Sequence, residues 1–261
     1  VDDAGLTAIH HRSHVAFFRA LGERGSADAR WVSWPDVGAA IVPASSERSL
    51  PNSVLYEDPA ALLEHHEAIA AVYAEAGVRA FTVWVEPEDE AALAPELEAR
   101  GHVRDTAPVV QAAVLADLDL ERLAAGELDP DPAPRFTTLG TLNDRAWGLT
   151  PPALGAAFSG LDGAPGTQVW ITRLGGRPAS GLMLLREGDD AYVSMVATAP
   201  EAAGRRLGRR LLARALLAAR ADGCTTSTLE ASAAGEPIYA AMGYRTLRRL
   251  PMYERRERTA A

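Results

Sequence analysis

Three features of the sequence predict an α+β fold of two halves, each a mostly antiparallel central sheet flanked by helices. A helix–strand–helix–strand order occurs twice, over 58–115 and over 204–250. Three hairpin-linked strands precede the second occurrence. A stiff, polar stretch, Asp129-Pro130-Asp131-Pro132-Ala133-Pro134, divides the halves. The predicted layout is a first domain over 1–125, a linker over 126–134 and a second domain over 135–261. The helix-to-strand joint recurs, as Glu98-Ala99-Arg100-Gly101-His102-Val103 and as Ala240-Ala241-Met242-Gly243-Tyr244-Arg245, a weak internal repeat at the level of the fold.

In chain order, the first helix is expected from about His10 to Glu23, stopped by Gly25. His10, His11 and His14 fall on it. Two of them have helical spacing for a shared metal, but no carboxylate or cysteine accompanies them at ligand spacing, so they read as core or surface residues and no metal site is expected. His65 and His66 read the same way. Trp31–Trp34 and Val37–Val42 read as strands around a Pro35-Asp36 turn, and Ser53–Tyr56 as a third. Asp58-Pro59 starts a helix, with Asp as cap and Pro at the first position, which ends at Gly77. Val78–Val85 is a strand, Pro87–Arg100 a helix and His102–Leu115 further strand. Arg135–Leu142 reads as the opening strand of the second half. Asn143–Gly148 and Pro152–Leu161 are short helical candidates. Thr167–Leu174, the Gly175-Gly176 turn and Arg177–Arg186 form a hairpin, and 191–198 is the third strand.

Composition bounds the function. The chain has 261 residues, 48% hydrophobic and 23% charged, and no lysine. It has no apolar run of the roughly 18 residues that suggest a membrane span. Val1-Asp2-Asp3 does not begin a basic-then-apolar leader, so no secretory signal is expected. The single cysteine, Cys224, excludes an internal disulfide and suits a reducing cytoplasm. No His or Asp is placed by sequence to activate it. The net charge of −9 argues against general nucleic-acid binding. Residues 1–134 carry 9 Arg against 24 Asp and Glu, whereas 135–261 carry 17 Arg against 11. A basic second half suits a polyanionic small molecule, and it also suits attraction between the halves.

The most informative stretch is 196–212. A strand ends at Val196-Ala197-Thr198, Pro200 breaks it, and helical spacing begins at Leu207. A glycine-bearing turn feeding a helix N-terminus offers backbone N–H groups and a favourable dipole to a phosphate. Neither G-x-G-x-x-G nor the P-loop pattern is present. Arg205 and Arg209, and Arg206, Arg210 and Arg214, form two stripes at i, i+4 that repel internally unless an anion or acidic surface offsets them.

This stretch resembles the acetyl-CoA-binding motif of the GNAT superfamily of N-acetyltransferases, V-x-T-x-P-E followed by [QR]-x-x-G-x-[GA] and a Leu-rich helix. Pro200, Glu201, Gly204, Leu207, Gly208, Leu211 and Leu212 match. Ala203 stands where the family carries Gln or Arg, and Arg206 where it carries glycine. A second motif, N-x-x-A-x-x-x-Y-x-x-x-G-[FY], is similar to Ser232–Tyr244: Tyr239, Gly243 and Tyr244 match, Ser232 replaces Asn and Gly235 replaces Ala. The first half lacks the glycine-arginine loop and is similar to the degenerate half of tandem GNAT proteins.

The resemblance implies an acetyl-CoA-dependent transfer of acetyl to a primary amine. It implies acyl-donor contacts from Val196, Ala197, Thr198, Gly204, Arg205, Arg206, Leu207, Gly208, Arg209 and Ser232, with Tyr239 as the general acid toward the leaving thiolate. Glu230 and Glu187 end strands near the cleft; Glu230 is the candidate base, and a water chain is the alternative to either. Tyr244 reads as core. The partner is a small-molecule amine, with no nucleic acid or membrane, and the chain is a monomer or homodimer. The competing expectation is a non-catalytic, regulatory acyl-CoA-binding protein, motivated by Ala203, Arg206 and Ser232. Transfer of a longer acyl group is a third.

Overall fold

The computed structural model describes residues 1–150 and 153–257. In chain order these form α1 (Asp3–Arg24), β1 (Arg30–Trp34), β2 (Val37–Ile41), β3 (Ser53–Tyr56), α2 (Pro59–Glu75), β4 (Ala80–Trp84), α3 (Glu90–Ala99), β5 (His102–Arg104), β6 (Val109–Val114), α4 (Leu120–Ala124) and β7 (Asp129–Pro130). There follow α5 (Phe136–Ala146), β8 (Thr167–Leu174), β9 (Arg177–Glu187), β10 (Asp190–Thr198), α6 (Leu207–Ala221), β11 (Thr226–Ala231), α7 (Glu236–Ala240), β12 (Arg245–Arg249) and β13 (Met252–Arg256).

Two sheets carry the fold, in the orders β1-β2-β3-β4-β13-β5 and β12-β6-β11-β10-β9-β8-β7. The same unit is built twice. β2 and β3 are antiparallel, and β3 is parallel to β4 across α2. β9 and β10 are antiparallel, and β10 is parallel to β11 across α6. This is the α+β architecture predicted, and the repeat is real at the level of topology.

The sheets do not divide at 126–134. The first half contributes β6 to the second sheet, inserted antiparallel between β11 and β12. The second half returns β13 to the first sheet, inserted between β4 and β5. Covalent halves therefore exchange one strand each, which a composition-based boundary has no means of registering. The exchange pivots on Pro108, between β5 and β6, so the strand expected over 102–115 is two strands in two sheets. Nor is 126–134 only a linker. Asp129 and Pro130 pair with β8, and Arg173 holds Asp131 through two nitrogens at 3.0 and 3.1 Å.

Other differences have local causes. Residues 135–142 are not a strand; Arg135 is the extended cap of α5 and 136–142 are its first turns. Phe136, Leu139, Gly140, Leu142 and Asn143 form one buried face, and the Phe136 amide is capped from a distance by Asp162 Oδ1 at 3.0 Å. The β-branched Thr137 and Thr138 favour a strand locally, and tertiary capping overrides them. α1 begins seven residues earlier than expected, because Asp2 accepts from the Gly5 amide at 2.8 Å. The candidate helix over 152–161 begins at Pro152, outside the described residues; its far end is a single 3₁₀ turn over Ser159–Leu161.

α1 packs against both sheets. Its buried face runs Leu6, His10, Ser13, His14, Phe17, Phe18 and Leu21, a helical stripe whose middle turn is polar. The core beneath it mixes Phe17, Phe18 and Trp84 with Phe136, Phe158, Tyr192 and Met252. Two further clusters lie on α6 with β10, β11 and β6, and on α2 with β2, β3 and β4. No helix among the described residues is long and apolar enough to cross a membrane.

Candidate active site

The parallel pairing of β10 with β11 runs from Asp190–Thr226 to Val193–Leu229 and stops there. Beyond it the two strands part. On the other edge of β10 the register against β9 shifts between Ser194 and Ala197. This bulge leaves a peptide group outside the ladder. Met195 sits in it at φ 54°, and Asn143 Nδ2 donates to the Met195 carbonyl at 2.9 Å. Only three non-glycine residues among those described have φ in the left-handed region, Asp36, Met195 and Arg206. Met195 lies in this bulge, and Arg206 caps α6.

A cavity of about 460 Å³ opens at the split, between the halves. Phe17, Phe18, Trp84, Phe158 and Tyr192 form an aromatic wall. Val196, Glu230, Ser232 and Tyr239 line the strand-end side, and Arg48, Asp105 and Arg256 also border it. The structure thus brings four of the sequence-predicted site residues into one space. A more open groove of about 650 Å³ beside β8 and α6 contains none of them.

Glu230, the last but one residue of β11, is where the two halves meet chemically. Tyr192 Oη donates to its Oε2 at 2.6 Å. His10 Nε2 contacts its Oε1 directly, from 220 residues away in sequence. His14 Nε2 stands 3.8 Å from the same oxygen. Burial alone would push the Glu230 carboxyl up. The neighbouring His14 and His10 and the bonds from His10 and Tyr192 outweigh it and hold the group down at about 2. Burial pushes His14 down to about 4, so it is neutral near pH 7. One turn of the helix positions both imidazoles. Ser13 donates to Asp190 Oδ2 at 2.8 Å, and this buried carboxylate also accepts from Thr226 and Thr228 at 2.9 and 2.6 Å. His11, on the other side of α1, lies between Glu57 and Glu86 at 2.8 and 3.3 Å, and the Glu86 bond leads the effects that raise it.

Tyr239 is buried at the start of the last crossover, and its hydroxyl has no protein partner among the described residues. Burial pushes it up, so it stays protonated. Tyr244 is core as expected, bonded to Ser227 at 2.8 Å. Ser232 Oγ accepts from the Gly235 amide at 3.2 Å. Glu187 is at the opposite end of its strand, paired through Asp190, and does not reach the cavity. Cys224 is buried, and burial raises its thiol.

β10 continues past the cavity to Thr198, whose Oγ1 meets Ser180 Oγ at 2.9 Å. Gly208 packs on this pair: a Cβ there would stand 3.2 Å from Thr198 and 3.3 Å from Ser180. Glycine is what lets the helix start approach the strand ends. The amides of 204–209 have no acceptor among the described residues, as the first turn of a helix leaves them. Arg205, Arg206 and Arg209 have no carboxylate partner there, whereas Arg214 bonds the Gly126 carbonyl and Arg220 pairs with Glu121. These features fit a polyanion. Arg206 is the helix cap at φ 59°, the conformation that favours glycine. The corresponding helix start in the first half has no such opening: Asp58 caps the Ala60 amide at 2.9 Å, and Pro59 has no N–H.

Sequence reasoning missed His10, His14, Asp190 and Tyr192. The i, i+4 histidine pair was visible; its carboxylate partner was not, because it comes from the opposite end of the chain.

Residues 165–246 match the family model for an acetyltransferase (GNAT) domain. A search of curated proteins returns no match. Among solved structures, a GCN5-related N-acetyltransferase from Kribbella flavida superposes with a TM-score of 0.66 at 16% identity, covering 95% of each chain. One from Sphaerobacter thermophilus gives 0.55 at 14%, covering 87% of this chain and 78% of that one. A tandem GNAT protein from the clavulanic acid biosynthesis pathway gives 0.53 at 14%, covering 86% and 79%. Residues 165–246 are thus similar to a GNAT acetyltransferase domain, and the chain shares the fold of these structures over nearly its whole length.

Proposed function

We propose that the protein transfers an acetyl group from acetyl-CoA to a primary amine bound in the aromatic-walled cavity. The observation that carries this reading is the meeting of Val196, Glu230 and Tyr239 where β10 and β11 part, with β10 leading on to the unpaired amides of 204–209. Those amides, with Arg205, Arg206 and Arg209, hold the pyrophosphate. Leu207 and Gly208 set the helix start against Thr198, and Ser232 borders the thioester end. The peptide groups at Val196 and Ala197 stabilise the acetyl oxygen as negative charge develops on it.

Glu230 holds the amine. An already ionised carboxylate of low basicity takes the proton as the C–N bond forms, when the ammonium becomes acidic. The C–S bond breaks as Tyr239 gives its proton to sulfur, and solvent returns a proton to the phenolate. The acceptor is an amine on an apolar or aromatic body, because Phe17, Phe18, Trp84, Phe158 and Tyr192 wall the space that Glu230 borders. The reaction takes place in the cytoplasm, where Cys224 stays reduced.

A second reading, a regulatory acyl-CoA-binding protein without turnover, draws on the left-handed Arg206 and on Ala203 and Ser232 at motif positions. Calorimetry with acetyl-CoA followed by free-thiol release over a panel of arylalkyl and alkyl amines separates the two. Binding with thiol release supports transfer. Binding without release on any amine supports the second reading, and no binding defeats both.

A further inference from the structure

We propose that His10, His14 and Glu230 form a site for a zinc-type divalent ion at the cavity wall, and that the bound ion silences acetyl transfer. One nitrogen from each histidine and one carboxylate oxygen lie within 4.8 Å of one another. The two histidines stand at i, i+4 on α1, the helical spacing that puts both on one face toward a single ion. The third donor comes from β11, so the set closes only when α1 docks on the second sheet.

A second observation points to a ligand. His14 Nε2 is fully buried and has no hydrogen-bond partner, yet it faces Glu230 Oε1 at 3.8 Å. A buried polar atom without a partner calls for an explanation, and an unseen ion is one. The far oxygen of Glu230 is already held by Tyr192 at 2.6 Å, the kind of outer bond that orients a metal-binding carboxylate. Ser13 on Asp190 at 2.8 Å fixes the turn between the histidines.

Two imidazoles and one carboxylate suit Zn²⁺ and its neighbours Co²⁺ and Ni²⁺; Mg²⁺ and Ca²⁺ prefer all-oxygen shells. Bonds of about 2.0–2.2 Å in a tetrahedron place donors roughly 3.3–3.6 Å apart. His14 therefore closes slightly on Glu230, and the direct His10–Glu230 contact opens. Glu230 and His14 both line the cavity, so the fourth position faces the amine pocket. The ion would occupy the lone pair of Glu230 that the proposed reaction gives to the amine proton. Inhibition rests on that functional reading; binding does not.

The test is a titration of the chelator-stripped, full-length protein with Co²⁺, followed by absorption between 500 and 650 nm, and with Zn²⁺ by calorimetry. One ion per chain is expected, with a four-coordinate cobalt spectrum. His14→Ala and Glu230→Gln should each weaken binding by at least about tenfold, and Tyr192→Phe should weaken it about tenfold through the lost outer bond. His65→Ala, half-buried on α2 against Trp34 and away from the site, should leave binding unchanged. Circular dichroism melts confirm that each variant is folded; a variant that is not is replaced by His10→Gln. No cobalt spectrum, or one kept in full by His14→Ala and Glu230→Gln, overturns the site. Binding with undiminished thiol release overturns the inhibition alone. If no amine is acetylated, the spectrum still decides the site.

Discussion

Tyr192 Oη lies 2.6 Å from Glu230 Oε2, so a buried residue of β10 donates to the carboxylate at the end of β11. Parallel pairing from Asp190 to Val193 places the two side chains on one side of the sheet, where α1 covers them. Tyr192→Phe removes the donor and keeps the ring. A hydrogen bond to a charged group contributes about 1.5–3 kcal/mol, so the Glu230 carboxyl should rise by about 1–2 pH units. A carboxylate base works above its own titration, so the acidic limb of kcat/KM should move to higher pH by that amount. An unmoved limb would remove Glu230 from the proton path.

Tyr239→Phe should lower kcat by about 10²–10⁴ while leaving acetyl-CoA affinity nearly unchanged. The hydroxyl has no protein partner among the described residues, so the melting temperature should stay close to that of the parent. Full turnover in this variant would take the general acid away from Tyr239.

Arg206 at φ 59° carries a conformational strain of roughly 1–2 kcal/mol that glycine does not, against which glycine loses roughly 0.5–1 kcal/mol through the unfolded chain. Arg206→Gly should therefore change stability by roughly 0–1.5 kcal/mol in the favourable direction. The same variant removes one cation and keeps the amides, so acetyl-CoA affinity should fall only a few-fold. Loss of all binding would show that the arginine side chain, not the backbone, holds the donor.

His102 Nδ1 donates to the Tyr253 carbonyl at 3.0 Å, and its Nε2 therefore accepts from His66 Nε2 at 2.9 Å. This pairing, tied to the returned β13 through the Tyr253 carbonyl, needs the His102 ring neutral. Burial, joined by His66, Arg255 and Arg100 against the Tyr253 bond, pushes His102 down to about 4. The folded value lies below the ordinary one, so the unfolded chain binds the proton first. The contribution is complete above about pH 6.5 and is lost as pH falls from there toward 4, by about 3 kcal/mol at most. His14, also at about 4, adds in the same window. Urea midpoints should fall between pH 7.5 and 5, and His102→Gln should be less stable at pH 7.5 with a flatter pH dependence.

A chain of residues 135–261 alone lacks β6 and so leaves β11 and β12 without the strand that joins them. It should aggregate or melt without cooperativity, since a central gap exposes two rows of backbone groups. Co-expression with residues 1–134 should rescue it. A monomeric fragment with a sharp melt would show that the strand exchange is dispensable.

Much of the second half was legible. The hairpin, the Leu-spaced helix and the glycine turn are local, and each residue there obeys propensity and period. The position of Tyr239 beside the parted strands was readable because its motif spans only one crossover. α5 was misread because the cap of Phe136 is Asp162, 26 residues away, and Thr137 and Thr138 speak for the wrong structure.

By itself the sequence determined the elements with short-range causes: the helix starts at Asp58-Pro59 and Leu207, the Gly175-Gly176 turn, the repeated helix–strand order and the open amides after Gly204. Tertiary structure alone decided which strand enters which sheet, because strand pairing depends on who is adjacent and not on the strand's own pattern. It also decided the site's charge chemistry. Glu230 becomes a strongly held anion only when α1 brings His10 and His14 to it, and the desolvation and bonds that set its proton affinity exist nowhere in the unfolded chain.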